Sequence, residues 1–226
     1  MTTILIATRN AHKVAEIRQI LSGNLRCLSQ NEVPGAPAAA EDADSFAGNA
    51  RKKAEGLADW LAAHPDALPD TIDPESDPFY ILADDSGLEV DALGGAPGVH
   101  SARFAAWDAP GAANAPDAAN NARLLRLLDG VPPERRTARF RCVLALLRLR
   151  PLATPWKTVT LEGICEGRIA FAPAGTGGFG YDPLFVPEGW AQSLAELGEA
   201  VKNTLSHRAR ALEKLRLFLL DNGPAA

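Results

Sequence analysis

The chain predicts an α/β fold with a long twisted mixed sheet and flanking helices, and three observations carry that prediction. Residues 3–8 form a short apolar run that passes directly into helical spacing, a strand–loop–helix opening. Helical stripes and strand-like runs then alternate through the first half. In the second half two long β-type runs, residues 137–149 and 156–166, are the lengths expected of a strongly twisted sheet.

The opening strand is followed by Asn10, a helix cap, with Val14, Ile17 and Leu21 on one face before Gly23 stops the helix. A second strand, residues 25–29, leads into a Pro/Ala-rich loop. Ser45 then caps a helix whose buried stripe is Phe46, Ala50, Ala54, Leu57 and Leu61, with Asn49, Lys52 and Lys53 expected on its polar face. Residues 64–78 hold four prolines and five acidic residues, the composition of a solvated, mobile loop insertion.

Residues 81–83 read as an apolar strand that breaks at Asp84-Asp85-Ser86-Gly87, and residues 88–93 as a separate half-buried strand. A Gly94-Gly95-Ala96-Pro97-Gly98 turn follows. The Ala-rich residues 105–119 carry little pattern, whereas Leu124, Leu125, Leu127 and Leu128 mark a helix ending at Gly130. After the two long runs come a third strand at 168–171 and a final helix over 203–220, striped by Leu205, Leu212, Leu215 and Leu219.

The length suits one large domain, or two tightly joined lobes, with a proper core. Apolar residues make up 46% and charged residues 23%, which excludes disorder of the chain as a whole. A formal charge of −5 supplies no basic field for a nucleic-acid backbone, so polymer binding is not expected. Cys27, Cys142 and Cys165 are odd in number, far apart and set in apolar runs, reading as reduced thiols. The start lacks a charged leader and no segment reaches membrane-spanning length, so the expected location is the cytoplasm, with no membrane partner.

Four constellations carry chemistry. Asp84 and Asp85 offer oxygen-only ligands of the kind that suit Mg²⁺, which takes one or two carboxylates plus substrate phosphates. Successive strand side chains point to opposite faces, so the two converge on one cation only if the strand ends there. Taken alone, Asp-Asp-Ser-Gly is equally a plain turn. Thr8-Arg9-Asn10-Ala11-His12-Lys13 lies between strand and helix, where free N–H groups and the helix dipole favour phosphate, although the glycines of a P-loop are missing. Residues 174–183 hold four glycines, with Phe179 and Tyr181 among them. That glycine content is costly unless backbone must approach a ligand, and Phe179 would stack on a flat base. Lys202, His207 and Arg208 gather around the opening of the final helix and could face one site, where a donor facing a keto oxygen would reject an amino group.

These motifs in this order, Thr8-x-Asn10-x-x-Lys13, Asp84-Asp85-Ser86-Gly87, Gly177-Gly178-Phe179-Gly180-Tyr181-Asp182-Pro183 and Ser206-His207-Arg208, resemble the inosine triphosphate pyrophosphatase family, also called HAM1-like. The resemblance covers the whole chain apart from 64–78 and includes Asn49-Ala50-x-x-Lys53-Ala54. It implies a single, elongated, two-lobed domain with a central nucleotide-binding cleft, usually a homodimer. The implied reaction is hydrolysis of ITP, dITP and XTP to monophosphate and pyrophosphate, cleansing the nucleotide pool. Carried over, Asp85 is the catalytic acidic residue and Glu41 an acidic position associated with the metal, beside Asp84. Thr8 to Lys13, Lys53 and Ser86 become triphosphate contacts. Phe179, Gly180, Tyr181, Asp182, Lys202, His207 and Arg208 become nucleotide contacts.

Arg9 replaces a frequent glycine, His12 a small residue, and Gly48 an acidic residue that often precedes Asn49-Ala50. Asp42 and Asp44 are candidates to compensate. Two other functions fit the same residues: a regulatory module that binds nucleotide without hydrolysis, and an enzyme acting on pyrimidine or modified nucleotides.

Overall fold

The computed structural model describes residues 1–23, 25–69, 72, 77–108, 113–149 and 155–222. Its sheet has six strands in the order β2-β1-β3-β4-β5-β6, formed by Thr2–Ile6 (β1), Leu25–Ser29 (β2), Phe79–Val90 (β3), Thr137–Arg148 (β4), Thr158–Ile169 (β5) and Phe185–Pro187 (β6). The helices are Ala11–Ile20 (α1), Phe46–Ala63 (α2), Asp117–Leu127 (α3), Leu194–Leu205 (α4) and His207–Asn222 (α5). Two compact units divide the chain, the first formed by Met1–Asp85, Val143–Glu162 and Ala211–Ala226, the second by Ser86–Cys142 and Gly163–Arg210. The boundaries fall inside β3, β4, β5 and α5.

In the first unit β1 pairs in parallel with β2 (Thr2↔Leu25 to Ile6↔Ser29) and with β3 (Thr3↔Phe79 to Ile6↔Leu82). A parallel pair needs a crossover, and α1 supplies it between β1 and β2. Flanked on both edges, β1 is a continuous buried run in which Ile4, Leu5 and Ile6 are fully inaccessible. Asn10 caps α1 as expected, its side chain accepting from the N–H groups of His12 and Lys13 at 3.0 and 3.1 Å. Ser45 caps α2 by accepting from Gly48 N–H at 3.2 Å. The expected stripe of α2 is buried throughout, and so, against expectation, are Asn49 and Lys53; Lys52 alone of the three stays exposed. Both buried polar groups turn toward carboxylate partners, which offsets the cost of leaving water. Within 64–78, Pro65–Ala67 is one 3₁₀ turn, and residues 70, 71 and 73–76 lie outside the described residues.

The second unit buries Leu88, Val90, Phe104, Leu124, Ala138, Phe140, Ile169, Leu184 and Phe185 in one cluster. β5 and β6 are antiparallel (Gly167↔Pro187 to Ile169↔Phe185), and a Cβ at Gly167 would lie 2.4 Å from Val186 O. The end of a 3₁₀ segment, Gly98–Ala106, and the first three residues of α3 occupy described parts of the stretch where composition carried little pattern. The third strand is Phe185–Pro187, whereas residues 168 and 169 finish β5. The final helix is two helices: Ser206 is extended (φ −66°, ψ 160°) and accepts from Ala209 N–H at 3.2 Å, beginning α5 anew.

One expectation is overturned at the centre of the sequence reading. β3 runs unbroken from Phe79 to Val90, straight through Asp84-Asp85-Ser86-Gly87. β1 pairs with β3 only as far as Leu82, and past it the neighbouring strand β4 supplies the ladder that outweighs the turn preference of Ser-Gly.

Candidate functional site

Because β3 continues, Asp84 and Asp85 face opposite sides of the strand and each finds its own lysine. On one side Asp84, fully buried, meets Lys13 of α1, with Nζ 2.6 Å from Oδ1. On the other, Lys53 of α2 donates to Asp85 Oδ1 at 2.7 Å, to Glu41 Oε1 at 2.6 Å and to the Asp84 main-chain oxygen at 3.3 Å. The three N–H bonds of an ammonium are thereby all used. The second oxygen of Asp85 accepts from Asn49 Nδ2 at 3.2 Å, while Asn49 Oδ1 accepts from Ala43 N–H at 2.9 Å. That last bond fixes which end of the amide faces Asp85.

Electrostatics follow from this packing. Burial pushes the Asp85 carboxyl above its ordinary range, against the pull of Lys53 and then Lys13. Burial alone would lower the Lys53 ammonium, but Asp85 and Glu41 outweigh it and hold its pKa up. Two lysines against Glu41, Asp84 and Asp85 leave one net negative charge within the cluster.

Glu41 and Asp85 therefore converge on a single cationic centre, the chemistry of a hard-cation site with two carboxylates. Asp84 is not brought to that centre through its carboxylate. No group of three or more His, Cys, Asp or Glu side chains suited to a metal occurs among the described residues. Position 48 has no room for a side chain: a Cβ there would lie 2.8 Å from Ala43 Cβ and 3.0 Å from Ser45 Oγ. Asp42 does not compensate, being held by Lys52 at 2.7 Å, a bond that lowers its pKa.

The 8–13 loop is fixed locally: Thr8 Oγ1 accepts from Asn10 N–H at 3.2 Å, and Arg9 donates to Ala36 O at 2.5 Å. Asn10, Ala11 and His12 are exposed at the start of α1, and Lys13 is half-buried.

The second unit carries a separate constellation. Lys202 Nζ stands 4.6 Å and Arg208 Cζ 5.7 Å from the Phe179 ring centre. Asp182, buried, accepts from Lys202 Nζ at 2.6 Å and from Phe179 N–H at 2.8 Å. Its closeness demands glycine at 178, where a Cβ would lie 2.0 Å from Asp182 Oδ2 and φ is +72°. Arg208, almost wholly buried, donates to Ser86 Oγ at 2.9 Å. Tyr181 is buried and donates to Ser101 O at 2.8 Å, its phenol pushed up chiefly by burial. His207 is stacked on Phe140, ring centres 4.7 Å apart. Phe179, Asp182, Lys202 and Arg208, grouped from sequence, are neighbours here, whereas Ser86, expected among the triphosphate contacts, is bonded to Arg208 of this constellation.

Sequence reasoning gave no role to Asn49, although the Asn49-Ala50 pair was visible. Nor did it find Asp117, in the Ala-rich stretch without pattern, and Asn121 just past it, which bond the backbone of Gly180.

Comparison with known proteins shows what the whole chain is similar to. The model of the Ham1 family matches residues 4–218. A dITP/XTP pyrophosphatase of Shouchella clausii is 43% identical over 217 residues, covering 96% of each chain. One from Geobacillus kaustophilus is 45% identical over 217 residues, covering 95% of this chain and 93% of that one. Among solved structures, a HAM1 protein from Coxiella burnetii is similar with a TM-score of 0.76 at 34% identity, covering 98% of this chain and 100% of the other.

Proposed function

The chain belongs to the Ham1 family, and from that premise we propose that it hydrolyses noncanonical purine nucleoside triphosphates, dITP, ITP and XTP, to the monophosphate and pyrophosphate. It is an enzyme of the nucleoside-triphosphate pyrophosphohydrolase class, which removes such nucleotides from the pool. The observation that carries the mechanism is Asp85, a buried carboxylate held by Lys53 and Asn49.

Water attacks the α-phosphorus and pyrophosphate leaves. Asp85 takes the proton of that water, its raised pKa bringing it closer to the operating pH than an ordinary aspartate. Lys13, and Lys53 through its charge alone, stabilise the charge that grows on the leaving pyrophosphate. Thr8 to His12 present main-chain N–H groups and side chains to phosphate oxygens at the start of α1. Glu41 and Asp85 would hold the magnesium ion. That ion, when bound, neutralises phosphate charge and acidifies water. In the second unit Phe179 stacks on the base, while Lys202 and Arg208 supply donors that bond a keto oxygen and reject an amino group.

The reading includes a homodimer working in the cytoplasm; the three cysteines are free thiols, and no helix among the described residues is long and apolar enough to cross a membrane. Pyrophosphate release from ITP, XTP and GTP, with Mg²⁺ and with chelator, is the test. Metal-dependent release from ITP and XTP, far faster than from GTP, is expected; no release from any would overturn the reading.

A further inference from the structure

The Phe179 ring can serve a base only if the loop carrying it is rigid, and that loop is rich in glycine. Its Gly180 has φ +64°, a left-handed backbone, yet no atom lies within 4 Å of where a Cβ would be. Side-chain crowding is therefore not what fixes glycine here; two hydrogen bonds hold its backbone. Gly180 N–H donates to Asp117 Oδ2 at 2.7 Å, and Gly180 O accepts from Asn121 Nδ2 at 3.0 Å. Asp117 and Asn121 are four residues apart on α3, so they share one helix face and grip both polar groups of a single residue. On either side, Phe179 N–H is held by Asp182 and the Tyr181 hydroxyl by Ser101 O.

We propose that Asp117 and Asn121 are positioning residues for base recognition, a clamp by which α3 sets the orientation of the Phe179 platform. The proposal rests on Phe179 being the base platform. Neither residue touches the phosphates in this reading, and neither is needed for attack on phosphorus. Their loss frees the two polar groups of Gly180, and the entropy of the loosened loop must then be paid each time a base docks.

Three variants test it: Asp117→Ala, Asp117→Asn and Asn121→Leu. Circular dichroism melting identifies any that fail to fold, and Asp117→Asn keeps an acceptor and so rescues part of what Asp117→Ala loses. The expected result is a KM for ITP, and a Kd for inosine monophosphate by calorimetry, raised about 5- to 20-fold in Asp117→Ala and Asn121→Leu, with kcat within about twofold. Inhibition by inorganic tripolyphosphate, which has no base, stays unchanged. In amide-resolved NMR, Gly180 loses its slow hydrogen exchange in Asp117→Ala and recovers part of it in Asp117→Asn.

Unchanged KM and Kd in folded variants, or a fall in kcat with KM unmoved, overturns the clamp. So does Gly180 exchange that is equally slow in all variants. If the wild-type protein turns over no purine nucleotide, the functional reading fails instead, and the Gly180 exchange still decides whether α3 orders this loop.

Discussion

Lys53 concentrates more of the chemistry than any other single residue of the first unit. Its ammonium joins Asp85, Glu41 and a main-chain oxygen, all within hydrogen-bond distance. Lys53→Met leaves Asp85 buried beside Glu41 without its nearest counter-charge, and breaking a buried pair in this way costs about 3–5 kcal/mol. Urea denaturation should show that loss, and Asp85→Asn combined with Lys53→Met should cost clearly less than the two singles summed. Asp85→Asn alone keeps an acceptor for Lys53 but no proton acceptor for water. Turnover of ITP should fall about 10²- to 10⁴-fold while the far-ultraviolet spectrum is unchanged. At this scale the carboxylates and lysines were legible as residue types, because charges so placed need a reason. Their pairing was not: which lysine meets which aspartate depends on the strand running on, and Asn49 looked like an ordinary polar-face residue until α2 packed it inward.

At the scale of elements the strand edges explain what composition missed. The stripes of α1 and α2 were readable because each helix has one buried face. The break at Ser206 was hidden because the leucines of α4 and α5 keep helical spacing across it. The Ser-Gly after Asp85 misled for the opposite reason, a turn preference cancelled by neighbours in the ladder. Another ladder neighbour, β6, makes glycine obligatory at 167, where Val186 O would meet a Cβ at 2.4 Å. Gly167→Ala should destabilise the β5–β6 edge by about 1–3 kcal/mol, read as a lowered melting temperature. Just past β3, Asp91 accepts from Thr137 Oγ1 at 2.6 Å and from Arg139 Nη1 at 3.0 Å, and Arg139 Nε also donates to Glu166 at 3.1 Å. Thr137 first, then Arg139, holds the Asp91 carboxyl below its ordinary value. A lowered carboxyl stabilises the fold above its unfolded pKa, and that contribution is lost as pH falls through the folded one. The stability gap between wild type and Thr137→Val should therefore be present at neutral pH and close below about pH 4, in denaturation curves taken across pH.

For the molecule as a whole, a formal charge of −5 opposes a polyanionic substrate, so local cations must win within a few ångströms. Removing divalent metal should abolish pyrophosphate release without unfolding the protein, since Lys53 already sits between Glu41 and Asp85; added Mg²⁺ should restore it. Light scattering during size-exclusion chromatography should give a mass near twice 23.9 kDa for the proposed homodimer. The division into two units has a further consequence, for synthesis. Each is assembled from separate stretches of chain, and the first takes its closing segment from Ala211 onward. On the ribosome, the opening strands and helices emerge long before the piece that completes their unit. No fragment of the gene encodes either unit alone, and a truncation before α5 removes part of both.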